Sequence, residues 1–285
     1  MGTSDASTNA QHRFGLSPYR LYRSAFLVVL VLLLGLNAVS LAVYWQDSQR
    51  LAAVAEGLVD RQAPASEKAR ALAGFVSDLP TGSPDGYHLL PIFRPLRLTA
   101  AQVLDLGGEC AHKGRAFIVL LHHLDVEAQK LVLRNAAGEP RHAVVVVETE
   151  QGDLVVDLLY GIVYEHEDGE PMSLGYLADH LPGVIEQEIR WGNTLAADYP
   201  LEDYPFTDPV TINWQKNALW QSARRALGWV LSEQQVDRLG RPFLAEEPAL
   251  MVLVASGFFL LVLWTPLGLV KIYQCSRSAA REDAS

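Results

Sequence analysis

Apolar side chains are concentrated in two uninterrupted runs near the ends of the chain, and between them the period of the pattern changes from helical to strand-like. Ala25 to Trp45 (AFLVVLVLLLGLNAVSLAVYW) and Ala249 to Val270 (ALMVLVASGFFLLVLWTPLGLV) carry no charged residue. At about 1.5 Å per residue each helix would be roughly 30 Å long, the thickness of a bilayer hydrocarbon core, so both are expected to span a membrane. A cleaved signal peptide ending near Ala38-Val39-Ser40 is the alternative for the first, but the apolar run exceeds the roughly 7–15 residues of a signal core. A buried core helix is the alternative for the second; a charge-free run of this length ending at Lys271 argues against it.

Between the two runs, Leu51, Val54, Leu58 and Val59 mark a helix over Gln46 to Val59. Ser66 is expected to cap a second helix, Glu67 to Leu79, whose stripe is Leu72, Phe75, Val76 and Leu79. Thr81 to Gly86 and Pro91 to Pro95 have loop composition. Thr99 is the N-cap candidate of a short helix from Ala100 to Leu106, which Gly107-Gly108 breaks. A longer helix then runs from Cys110 to about Leu124 with Ala116, Phe117, Leu120, Leu121 and Leu124 on one face. From there the period becomes two. Strands are expected at Lys130 to Arg134, Arg141 to Glu148 and Asp153 to Leu159, joined by turns at Ala136 to Pro140 and Gln151-Gly152. Gly161 to Glu165 reads as a further strand and His166 to Glu170 as a solvated acidic turn without calcium-loop spacing. Ser173 to Leu181 reads as a short helix, Val184 to Trp191 as a strand and Tyr199 to Asn213 as an ordered, aromatic-rich loop. Trp214 to Leu231 is amphipathic, with Trp220, Ala223, Leu227 and Val230 on one side, to lie either on the membrane surface or on the domain. The fold class expected is α+β.

Charge then orients the spans. Of 23 basic and 33 acidic residues, the tails (1–24 and 271–285) hold six basic, Arg13, Arg20, Arg23, Lys271, Arg277 and Arg281, against three acidic. The remaining 17 basic and 30 acidic residues all fall in 46–247. Basic residues on the tail side of both spans place both termini in the cytoplasm and the acidic middle outside. The expected domains are a cytoplasmic tail (1–24), a span (25–45), an extracytoplasmic domain (46–247, core about 66–161), a second span (249–270) and a second tail (271–285). An acidic domain excludes a nucleic-acid partner, which needs a basic face.

The chain has two cysteines, Cys110 and Cys275, which this topology puts on opposite sides of the membrane. Cys110 opens a predicted helix, where the positive end of the dipole favours a thiolate, and Gly107-Gly108 leaves room beside the sulfur. An inert buried thiol is the bland alternative. His142 begins one strand and Asp157 lies on the next. Across an antiparallel hairpin with an even loop, paired positions sum to an odd number, as 142 and 157 do, so both side chains share a face. A four-residue loop would put Val144 opposite Asp157 and His142 on its diagonal, about 7–8 Å away. Asp157 is set in an apolar run (LVVDLLY), where an unpaired carboxylate is costly. His122 and His123 lie about 18 Å along the helix from Cys110 and compete poorly. Cys110 and His112 complete no metal-ligand spacing, and there is no phosphate loop, dinucleotide fingerprint or GxSxG elbow, so neither a metal nor a cofactor is expected.

The motifs GGECAHKGRAFIVLL, RHAVVVVE and LVVDLLYG resemble the three core motifs of the transglutaminase-like superfamily of papain-like thiol enzymes, in a membrane-anchored bacterial form. The helix from Ser66 to Leu79 is similar to the one that precedes the Cys motif there. The resemblance implies a Cys-bearing helix packed on an antiparallel sheet, with Cys110 as nucleophile, His142 as general base and acid, and Asp157 holding the imidazole. It implies acyl transfer on an amide or peptide bond of a protein or peptide substrate, by hydrolysis or amine transfer. Val144 and Leu158 stand where that family often has an aromatic and a proline, which leaves the substrate open. Gln102 and the backbone N–H of Cys110 are the oxyanion-donor candidates, with the latter favoured. An idle domain serving as an interaction partner in an envelope or polysaccharide-export assembly is the second reading.

Overall fold

The computed structural model describes residues 18–82, 98–215, 218–237 and 239–262. The chain divides into two units, one of Met1–Ala42 with Val252–Ser285 and the other of Val43–Met251.

Helix α1 (Pro18–Leu58) is continuous over 41 residues, so the first apolar run and the helix expected at Gln46 to Val59 are one element. Nothing between Trp45 and Gln46 breaks the backbone pattern, and charge alone does not end a helix. Its stretch from Ser24 to Leu58 is long and apolar enough to cross a membrane, and side chains such as Val31 and Leu32 are 65% and 66% exposed, as on a lipid-facing surface. Asn37 donates its amide to the Leu33 carbonyl at 2.8 Å, so this polar group is satisfied within the helix. Among the described residues this is the one helix of crossing length. The second expected span is seen only as Pro248–Val262, which falls short of that length, and its residues 263–270 lie outside the described residues. Residues 1–17, the second tail with Cys275, and residues 83–97, where most of the expected loop falls, also lie outside them.

The other unit is α+β. Its sheet has four antiparallel strands in the order β1 (Ala128–Arg134), β2 (Pro140–Thr149), β3 (Gly152–Asp157) and β4 (Ile162–Tyr164). Helices α2 (Ala65–Ser77), α3 (Ala100–Leu106) and α4 (Cys110–His123) cover one face, where Leu72, Val76, Phe117 and Leu121 meet Val145, Val147, Leu154 and Val156. Helix α5 (Leu174–Arg190) covers the other, with Leu177, Leu181, Val184 and Ile185 against Val144, Val146, Val155 and Ile162. Strand β2 is therefore buried on both sides, which is why its sequence is a run of valines rather than an alternation. Each fully buried Val or Leu contributes about 1.5–3 kcal/mol.

Three local expectations are corrected. Ser66 is not the cap of α2: Pro64 takes that position, and the Ser66 hydroxyl instead donates to Glu150 at 2.5 Å, tying the helix to the β2–β3 turn. The strand expected at Val184 to Trp191 is the second half of α5, which continues through Pro182. Proline removes one backbone bond, to Ala178, while Leu177, Leu181, Val184 and Ile185 keep the i, i+4, i+7, i+8 spacing that buries the helix. The amphipathic helix is shorter than expected, α6 (Ala218–Leu227), and Trp220, Ala223 and Leu227 pack on Ile212, Trp214 and Val236, whereas Val230 is exposed. A short helix α7 (Glu233–Asp237) follows.

A buried charge cluster fastens the end of this unit to its centre. Glu246 pairs with Lys130 (2.9 Å) from β1, with Arg115 (3.4 Å) from α4 and with Arg241 (2.9 Å). Lys130 also donates to the Ala111 carbonyl at 3.0 Å, and Arg115 to the Leu98 carbonyl at 2.6 Å. Burial opposes the Glu246 charge, but Lys130, Arg241 and Arg115 outweigh it and hold the carboxyl low, at about 2. Because the folded value is depressed, this stabilisation is present above the ordinary carboxylate range and is lost as pH falls toward about 2. Glu246→Gln removes the carboxylate that pairs with buried Arg115 and Arg241 and with Lys130, whose ammonium burial already pulls down to about 7, and is expected to lower unfolding stability at pH 7 by about 3–5 kcal/mol, against within about 0.5 for the exposed Glu148→Gln, in denaturant unfolding of the full chain. Equal effects of the two substitutions would contradict this assignment.

Candidate active site

Cys110 is the first residue of α4, with Glu109 as N-cap. Its placement rests on the two glycines before it. Gly107 closes α3 with φ +74°, and a Cβ there would lie 2.0 Å from the Pro80 carbonyl oxygen. The N–H of Gly108 donates to that same oxygen at 2.9 Å, and a Cβ on Gly108 would come within 2.4 Å of His112 Cβ. Only glycine permits the chain to turn this closely into the helix. One turn on, buried Lys113 donates to the Ser77 carbonyl at 2.8 Å and locks α4 to the end of α2. The half-buried thiol thus stands at the end of a 14-residue helix, among N–H groups that have no intrahelical acceptor.

His142 and Asp157 meet across the β2–β3 hairpin. The register sets Val145 opposite Val156 and Thr149 opposite Gly152, so the loop is two residues, Glu150 and Gln151, and His142 falls on the diagonal of Asp157. Nε2 of His142 lies 2.6 Å from Oδ2 of Asp157, with His142 as a whole residue 2% exposed and Asp157 not at all. The other carboxylate oxygen accepts the backbone N–H groups of Leu159 (3.0 Å) and Tyr160 (3.3 Å). Burial opposes the charge on His142, but the Asp157 carboxylate and its hydrogen bond, with a smaller contribution from Cys110, raise the imidazole to about 10. Nδ1 is buried without a hydrogen-bond partner, and Cys110 is near enough to favour the protonated ring. Catalytic hydrogen bonds are commonly long before substrate binds.

Three tyrosines surround the ring. Tyr204 stacks on His142 with centroids 4.3 Å apart and planes 11° apart, and Tyr160 and Tyr199 present edges at 5.7 and 6.5 Å. Burial, reinforced by the other tyrosine, raises the phenol of Tyr160, so it stays a neutral donor. A cavity of about 230 Å³ opens beside the thiol, with Cys110 and His142 both in its wall together with Val132, Ile212 and Trp220. Such a space admits one side chain or a small acyl group next to the sulfur.

The three residues singled out by sequence are thus gathered at one place: His142 in contact with Asp157, and Cys110 beside the same cavity. Gln102 has another task, its side-chain oxygen accepting the Thr99 N–H at 3.1 Å in the capping box of α3. His122 stacks on Phe243 at 4.0 Å, toward the far end of α4. Tyr199 and Tyr204 were visible only as loop composition, Tyr160 only as part of the LVVDLLYG motif and Lys130 only as a strand residue; none of these signals says where in space they go.

No protein-family profile and no curated protein matches the chain. Among solved structures it is similar to a "putative protease" from Parabacteroides distasonis, at 13% identity and a TM-score of 0.31, over 41% of this chain and 26% of that one. The chain therefore spans about a quarter of that protein's length, and the reading of the site rests on its own geometry.

Because the folded pKa of His142 is raised, its pairing with Asp157 stabilises the fold fully below the ordinary histidine value and ceases to do so as pH rises through about 10. Asp157→Asn is accordingly expected to cost about 3–5 kcal/mol of unfolding stability near pH 6, with the difference from wild type shrinking toward pH 10. Denaturant unfolding at several pH values checks this; a pH-independent difference would contradict it.

Proposed function

We propose that this chain is a membrane-anchored thiol acyl-transfer enzyme acting on an amide or peptide bond, with a transglutaminase-like arrangement of Cys110, His142 and Asp157. The observation that carries the reading is the buried 2.6 Å contact between His142 and Asp157 beside a cavity that also exposes Cys110. An isolated buried imidazole and carboxylate are costly; held together beside a cavity that Cys110 also lines, they form an imidazolium with a fixed orientation, the partner a thiolate nucleophile requires.

In this reading Asp157 fixes the charged ring through Nε2, and Nδ1 carries the proton that the Cys110 sulfur has given up. The sulfur attacks the carbonyl carbon and forms the C–S bond, while the carbonyl electrons move onto oxygen. The backbone N–H of Cys110 at the start of α4 is the donor best placed to meet that oxyanion. As the oxygen re-forms the carbonyl, the C–N bond breaks and His142 gives its proton to the departing amine. Water or a second amine then adds to the thioester, loses a proton to His142, and expels the thiol. The anchoring is proposed as two spans, Ala25 to Trp45 and Ala249 to Val270, with both termini cytoplasmic and residues 46–247 outside. The helix Ser24–Leu58 and the basic tails support this topology.

Labelling of Cys110 with iodoacetamide, followed by mass at its peptide, tests the chemistry. Wild type is expected to label at pH 6 nearly as fast as at pH 8, and His142→Ala to lose about 10²–10⁴ of turnover on any amide substrate found. Labelling that begins only above about pH 8.5 would be the behaviour of an ordinary thiol and would sink the reading.

A further inference from the structure

The cavity beside Cys110 has a charge character at odds with the rest of the chain. Formal net charge is −10, yet Lys130, Arg141 and Arg241 all line this cavity, and among the described residues no carboxylate does. The carboxylates that hold these cations stand behind them. Glu139 pairs with Arg141 at 2.7 Å on the exposed side. Glu246 serves Arg241, Arg115 and Lys130, and burial pulls the Lys130 ammonium down to about 7, so one negative charge faces two guanidinium charges and part of a third positive one. Glu247 also faces Arg115, but burial, reinforced by Asp47, pushes its carboxyl up to about 7, so it supplies only part of a countercharge. His142, also in the wall, has its charge answered by Asp157 at 2.6 Å and adds little to the field. The remaining wall, Val132, Ile212 and Trp220, is apolar, which keeps the field from being fully screened.

We propose that this cavity selects an acyl donor carrying a carboxylate next to the scissile amide, as in an acidic peptide, with Arg141 and Arg241 as the specificity-determining side chains. The inference rests on the thiol-enzyme reading above and goes beyond it in naming the substrate class. Arg141 sits at the half-exposed mouth and can turn from Glu139 to an incoming carboxylate, whereas Arg241 and Lys130 are held in place by Glu246 and set the field deeper in. Guanidinium at the mouth gives a bidentate partner for a planar carboxylate, and the apolar side accommodates its methylene stem.

The experiment compares two reagents of nearly equal size, anionic iodoacetate and neutral iodoacetamide, on the full chain in detergent, with alkylation read by mass at the Cys110 peptide. The iodoacetate to iodoacetamide rate ratio is expected to fall roughly three- to tenfold in Arg141→Gln and further in Arg141→Gln/Arg241→Gln, the scale of one unit charge acting across a few ångströms of partly wet protein. Arg141→Lys should retain most of the ratio, and Glu139→Gln, which frees Arg141, should raise it. Added salt should compress all these differences. A ratio unmoved by Arg141→Gln and Glu139→Gln while iodoacetamide reacts at pH 6 would overturn the anion preference and leave the thiol reading standing. Failure of both reagents at pH 6, with alkylation only after unfolding, would overturn both.

Discussion

A carboxylate with no solvent exposure and an imidazole nearly as deeply buried can share an interior only if each satisfies the other, and that condition fixes much of this molecule. Asp157 spends one oxygen on His142 and the other on the N–H groups of Leu159 and Tyr160, where the chain leaves β3. The contact needs the two-residue turn at Glu150-Gln151, because any odd change in loop length would send His142 to the opposite face of the sheet. It also needs the stacked ring of Tyr204 and the edges of Tyr160 and Tyr199, which exclude water and so strengthen the ion pair they enclose. The aromatic loop after Tyr199 thereby acquires a structural task, and its buried Phe206 and Val210 keep it against the sheet.

A second electrostatic arrangement holds the thiol. Lys130 reaches from β1 to the Ala111 carbonyl in the first turn of α4, and Glu246, near the start of the C-terminal apolar helix, holds Lys130. The start of α4 is thus clamped by Lys130 on one side and by the Gly107-Gly108 approach to Pro80 on the other. Geometry at a reacting group must be held to fractions of an ångström, and side chains locked by buried ion pairs provide that stiffness more readily than exposed ones. Lys130 and Arg241 of the same cluster also line the cavity, so the proposed selectivity would draw on residues that hold the start of α4 in place.

How much of this the sequence could reveal follows from the range of each interaction. Local signals were legible: Thr99 is the N-cap of α3 as expected, Gly107-Gly108 ends that helix, and the valine run from Arg141 to Glu148 lies in a strand. The parity of 142 and 157 needed only the assumption of a hairpin with an even loop, because a strand's side chains alternate whatever surrounds it. What escaped was decided by tertiary context. Pro182 looked like a break, yet the burial of Leu177, Leu181, Val184 and Ile185 carries α5 through it. Ser66 looked like a cap, but a partner 84 residues away, Glu150, takes its hydroxyl. Lys130 and Glu246 are 116 residues apart, and nothing in either neighbourhood points to the other. Tyr204 read as a loop residue, because stacking on an imidazole leaves no mark in local composition.

The central claim is that Asp157 keeps His142 charged and oriented toward Cys110. The most direct measurement is the pair of imidazole 15N chemical shifts of His142, assigned by comparison with His142→Gln, from pH 6 to pH 8. Both ring nitrogens should appear protonated throughout, and Asp157→Asn should bring a titration into that window. A neutral ring with a single protonated nitrogen, titrating near the ordinary histidine value of about 6.5 in the wild-type protein, would contradict the account.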